Sequence, residues 1–161
     1  MIPFKAIRSA IVRGLSARLG LEVIELNGGG DMPKGAFLTY NISDGFAEGR
    51  GFPVVTQENG KLVQRETVEF TVSFLSYAAD SADSITNALR AQDWLKTIGR
   101  DVLKDLNVVV FNIGSVDNRD ILIADEWERR YGFDVDFRTT AVADQDLEYI
   151  EKVKIANKII T

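Results

Sequence analysis

Asp134 and Asp136 are one residue apart inside a run that alternates apolar and polar side chains from Glu126 to Arg138. On an extended strand, residues two apart project from the same side. Two carboxylates so placed could share a divalent cation, or work as an acid and a base. Asp125/Glu126 and Asp144/Asp146 are further acidic pairs. Asn118-Arg119-Asp120 sets an amide, a guanidinium and a carboxylate in a row, a set that could orient an anion. Each has a plainer reading, which is the expectation. A strand with one wet face carries such acids for contact with water. A polar turn uses its side chains on its own backbone. No EF-hand spacing, with its glycine and closing glutamate, occurs. There is no histidine and no cysteine, which excludes thiol nucleophiles, disulfides, Cys/His zinc sites and an imidazole base. The loop Asn27-Gly28-Gly29-Gly30-Asp31 lacks the Lys-Ser/Thr of a P-loop and the glycine spacing of a dinucleotide turn. No enzyme activity, metal or cofactor is expected.

The chain that must position these residues has 161 of them, 45% hydrophobic and 27% charged, enough to bury the core of one domain. Nineteen Lys and Arg against 24 Asp and Glu leave a net charge of −5. That is a poor basis for tight, sequence-independent nucleic-acid binding, which needs many phosphate-neutralising cations. No apolar run approaches the roughly 20 residues that span a bilayer. The first fifteen residues are interrupted by Lys5, Arg8 and Arg13 and do not read as a secretory leader. The expectation is a soluble intracellular domain. Charge is lopsided: residues 1–21 carry four cations and no acid, whereas residues 117–151 carry eleven acids against four arginines. A monomer can solvate such asymmetry. A head-to-tail ring of identical subunits can use it, because opposite ends meet at every interface.

Residues 3–19 read as a helix, with Phe4, Ile7, Ile11, Leu15 and Leu19 on one face and Gly20 as the stop. Arg8 falls inside that stripe and Arg18 near its edge. Leu21–Leu26 and Ala36–Ile42 read as strands. Asn59-Gly60 between VVTQE and KLVQR predicts a β-hairpin, because both turn residues must take positive φ. Its second arm continues to Tyr77, some 15 residues against a usual 5–6. The outer part must therefore leave the domain body as an arm or find a partner strand outside it. Asp80–Ile98 reads as a second helix capped by Asp80 or Ser81, with Ile85, Ala88, Leu89, Ala91, Leu95 and Ile98 inward and Trp94 at the edge. A short amphipathic turn over 100–106 follows. Val108–Ile113 reads as a buried strand, 117–120 as a polar turn and Glu126–Arg138 as one long strand. Leu147–Ile155 suits either a strand or a helix, and the strand is preferred. Helices segregated from long antiparallel strands give an α+β class: a twisted, mostly antiparallel sheet, two main helices on one face and a protruding β-hairpin arm. Residues 1–155 are expected to form a single domain and 156–161 a tail.

Three blocks in this order, QRETVEFTVSFLSY at 64–77, residues 85–98 with Asp93-Trp94, and DNRDILIADEWERRYGFDVDFR at 117–138, carry a resemblance. The sequence resembles the bacteriophage neck terminator family, related in role to tail terminator and tail-to-head joining proteins, over roughly residues 3–155. Asn118-Arg119-Asp120 and Glu126, Glu128, Arg129, Arg130, Tyr131, Gly132 and Phe133 are its most telling residues. The resemblance implies a virion structural protein at the tail–neck junction, assembled in the host cytoplasm. It implies a compact subunit that closes into a six-membered ring, caps the tail tube, stops its polymerisation and meets the neck connector. The tail sheath is a further candidate partner. DNA would only pass through the lumen, and no membrane is involved. Three features of the sequence fit without requiring this: over-long strands suited to augmenting a neighbour's sheet, opposite charge at the two ends, and an acidic balance suited to sliding DNA.

Candidate interface residues follow. Phe52, Asn59, Gly60, Lys61 and Gln64 on the hairpin are expected to reach a neighbour or the tube. Arg129 interrupts the apolar face of its strand, where an unpaired charge is costly, and is expected to pair with Glu66 or Glu69. Asn118, Arg119, Asp120, Glu128 and Arg130 complete the set. Another phage morphogenesis protein, such as a tube subunit or head-completion protein, is the alternative; a tube protein would polymerise without limit. A metal-dependent nuclease using the acidic pairs would show itself by titration with Mg²⁺ or Mn²⁺.

Overall fold

The computed structural model describes residues 1–49, 51–148, 153–155 and 158–160. Its order is α1 (Phe4–Leu19), β1 (Glu22–Glu25), β2 (Phe37–Glu48), β3 (Val54–Glu58), β4 (Lys61–Tyr77), α2 (Ser81–Lys96) and α3 (Ile98–Asp105). There follow β5 (Val108–Ile113), β6 (Asp117–Asn118), β7 (Ile121–Ile123), β8 (Glu126–Glu128), β9 (Arg130–Asp146), β10 (Val153–Ile155) and β11 (Lys158–Ile160). The α+β class holds. The main sheet runs β1-β2-β4-β9-β5, with β3 continuing the β2 side of β4 and β6 pairing the start of β9. The β1–β2 pair is parallel and the others in this sheet are antiparallel.

Periodicity decides which face is covered. On β4, Val68, Phe70, Val72 and Phe74 alternate inward, and the register sets Phe70 opposite Phe137, Val72 opposite Val135 and Phe74 opposite Phe133. The two aromatic pairs stack with ring centroids 5.2 and 5.3 Å apart. Over them lie Ile7, Ile11, Leu15 and Leu19 of α1 and Ala88, Ala91, Trp94 and Leu95 of α2, all buried in the same core. α1 ends at Gly20, whose φ of 67° is the left-handed stop. Asp80 caps α2, its carboxylate accepting the Asp83 N–H at 2.8 Å.

Three expectations need correction. The buried face of α2 is rotated: Trp94 is buried while Leu89 and Ile98 are exposed. The indole lies against Gly14 of α1 and Gly99 of α3, where a Cβ on either glycine would overlap it. Two glycines thus make the socket, a feature that side-chain periodicity does not register. Val108–Ile113 is not a buried strand but the border of the sheet, with Val109 and Phe111 on its wet side. The long strand over 126–138 is broken at Arg129. Residues 126–128 fold back on 121–123 as a separate hairpin, and β9 runs instead from Arg130 to Asp146. The outer half of β4 leaves the domain body as an arm, the first of the two expected outcomes, and β9 accompanies it from Tyr77↔Arg130 to Lys61↔Asp146. The lengthening of one strand met the lengthening of the other. Of the ambiguous 147–155 segment, 149–152 lie outside the described residues; Val153–Ile155 are strand and pair antiparallel with Lys158–Ile160.

Candidate functional site

Asn59 and Gly60 take φ values of 49° and 74°, as the sequence requires of a two-residue hairpin. Pairing of Glu58 with Lys61 through Val54 with Arg65 builds the arm, and β9 widens it to three strands. Phe52, just before it, is 97% exposed. Gln64 stands between Val55 and Ala143, and Glu66 opposite Ala141. Lys61 reaches Asp144 at 3.6 Å. Arg65 grips both oxygens of Glu58, at 2.8 and 3.0 Å, while the Thr56 hydroxyl donates to the same carboxylate. The Arg65 hydrogen bonds, then that of Thr56, hold the Glu58 carboxyl below its usual value. Val54 and Val55 on the outermost strand are both exposed, although they point to opposite faces. A strand border with apolar side chains on both faces is an invitation to pairing.

The second cluster sits at the other end of β4, roughly 50 Å away at about 3.3 Å per residue. Here the turn residues do serve their own backbone. Asn118 accepts the Asp120 N–H at 2.8 Å and donates to the Tyr131 hydroxyl. Asp120 accepts the Arg130 N–H at 2.7 Å and the Arg129 guanidinium at 2.9 Å, with only 5% of its side chain exposed. Burial pushes the Asp120 carboxyl up, but the Arg130 amide, Arg129 and Asn118 outweigh it, and its pKa ends below the usual carboxylate range. Arg130 donates to the Arg119 carbonyl at 2.6 Å and to the Tyr77 hydroxyl, with Glu128 at 3.7 Å. Arg119 crosses to Ser73 and Asp134. Its stem passes over Gly132, where a methyl group would meet it.

The six residues predicted from 118–130 therefore meet in one network; the predicted hairpin residues lie along the arm without being joined to one another, and the bonded set there is Glu58, Arg65 and Thr56, which the sequence reading did not single out. Arg129 does not pair with Glu66 or Glu69. The break before β9 takes it out of the strand alternation and onto Asp120, roughly 36 Å along β4 from Glu66. Glu69 is engaged by Arg138, opposite it in register, at 2.9 Å. Asp134 and Asp136 do project from one face, and both are tied into the sheet. Asp136 accepts from Thr71 at 2.6 Å and Asn112 at 2.9 Å, and Asp134 accepts from Arg119. Among the described residues no group of three His, Cys, Asp or Glu could hold a metal ion, and no helix is long and apolar enough to cross a membrane.

Sequence reasoning missed the β7–β8 hairpin. Its turn is Ala124-Asp125, at φ 46° and 66°, and neither residue announces a left-handed turn as glycine would. Leu122 and Trp127 pair across it, and with Ile123 they are half or more exposed. Arg129 lies over the Trp127 ring, 5.8 Å from its centroid. A monomer rarely displays such a group unless it meets something.

The molecule thus presents two exposed hairpins at opposite ends of a long sheet, braced by internal ion pairs. No curated protein matches the chain. A family model described as phage neck terminator protein matches residues 4–161, nearly the whole chain. The chain belongs to that family, the structural neck proteins of the phage tail–neck region.

Proposed function

We propose that the protein closes into a ring of six copies that caps the finished tail tube, stops its polymerisation and joins the tail to the head–neck connector. Family membership supplies the place in the virion. The observation that carries the reading is the three-stranded arm of β3, β4 and β9, whose outer strand has no second partner strand among the described residues and exposes Val54 and Val55 on opposite faces. In this reading the domain over 1–155 is the ring subunit, 156–161 is a contact tail, and the arm, with Phe52 and residues 59–66, adds to a neighbouring subunit or to the tube by strand pairing. The cluster from Asn118 to Arg130 holds its hairpin rigid as a second contact. A net charge of −5 suits a lumen through which DNA slides. Assembly takes place in the host cytoplasm, and the sheath, in a contractile tail, packs around the ring.

The test is a tube-elongation assay. Tail tubes grown in the presence of the protein should stop lengthening and carry one ring at an end in electron micrographs. Unchanged elongation with bare tube ends would overturn the proposal. Indefinite polymers of the protein itself would instead identify a tube subunit.

A further inference from the structure

Two surfaces remain that the arm does not use, and they complement each other. One is the β7–β8 hairpin, with Leu122 and Trp127 exposed beside Asp125 and Glu126, which are exposed and in no ion pair among the described residues. The other is an open groove of about 490 Å³ between α3 and the free border of β5. Ile98 and Val109 are its exposed apolar members, at 61% and 49%. Lys96, Arg100 and Lys104 surround them against one acid, Asp101. Apolar centre meets apolar centre, and an acidic rim meets a basic one. Within one subunit they do not meet. Trp127 lies beside Asp83 in the first turn of α2, whereas Lys96 ends that helix, so about 20 Å of helix separates them. Placing one surface at each end of α2 is what a heterologous interface requires.

We infer that the acidic, apolar-tipped β7–β8 hairpin of one copy docks in the basic groove between α3 and β5 of the next. This rests on the ring reading and names its contact. The free border of β5 receives the hairpin as an added strand. Leu122 and Trp127 cover Ile98 on the helix side of the sheet, and Asp125 and Glu126 face Lys96 and Arg100. Charge at the rim fixes which end meets which and excludes the head-to-head arrangement, in which two acidic hairpins would oppose each other.

The experiment is a pair of charge reversals read by the mass of the full-length protein, alone and on tail tubes. Lys96→Glu with Arg100→Glu, and Asp125→Asn with Glu126→Lys, each change only exposed side chains and should leave the melting temperature near that of the parent, since asparagine tolerates the left-handed turn at position 125. Each should raise the concentration for half-assembly about tenfold or more, and the four changes together should restore assembly to within about threefold of the parent. Trp127→Ser should weaken assembly without altering its charge dependence. A parent ring with either reversal indifferent, or with no rescue by the combination, would overturn this contact and leave the ring reading standing. A parent that never assembles, even on tubes, would overturn both.

Discussion

Asp120 is nearly hidden from water, yet it carries a charge that three neighbours sustain. Its folded-state pKa is lowered, so between that value and the ordinary 3.8 the unfolded chain holds a proton that the folded chain does not. Stability therefore rises with pH across this window: the contribution is complete above the ordinary value and is lost as pH falls through the lowered one. Asp120→Ala should lower stability at neutral pH by about 2 kcal/mol, since it leaves the Arg130 amide without its acceptor. Urea unfolding should show that the deficit shrinks as the pH falls below the ordinary carboxyl value of 3.8. Ala124 poses the opposite case. Its φ of 46° costs an alanine about 1 kcal/mol relative to glycine. Ala124→Gly should raise the urea midpoint by a corresponding amount.

Among the elements, the α1–α2 contact turns on what is missing. Glycine inside a helix is ordinarily worse than alanine by about 1 kcal/mol, so Gly14→Ala on an isolated α1 would help. In the fold the added methyl group overlaps the Trp94 indole. Gly14→Ala should therefore destabilise the protein by about 1–3 kcal/mol in thermal or urea unfolding. Phe133→Ala, which empties the stacking partner of Phe74 across β4 and β9, should cost about 3–5 kcal/mol. These particulars also explain what was legible in the sequence. The Asn59-Gly60 hairpin, α1 and the inward stripe of β4 follow from local chemistry and spacing, and the structure has all three. The break at Arg129 was hidden because alternation continues straight through it, and no glycine marks the Ala124-Asp125 turn. The border position of β5 was hidden because a run of valines reads the same whether it lies inside a sheet or along its rim. The partner of Arg129 depended on that unseen break, so the carboxylate lay beyond reach of any pairing argument.

At the scale of the whole molecule, stiffness and openness are arranged together. Over the domain body one side of the sheet is sealed by helices, and the other is laced by hydrogen bonds among Thr71, Asp136, Asn112, Ser73, Arg119 and Asp134. Neither face yields easily, which leaves the strand borders and the two hairpins as places for contact. A subunit built this way can meet copies of itself edge to edge while its body keeps its shape. The most direct measurement is the mass of the purified protein over rising concentration, with and without tail tubes. The account predicts one closed species of six copies, free or seated at tube ends, whose size stops growing once the ring is complete. A single chain at every concentration that ignores tubes, or a ladder of masses that lengthens without limit, would contradict it.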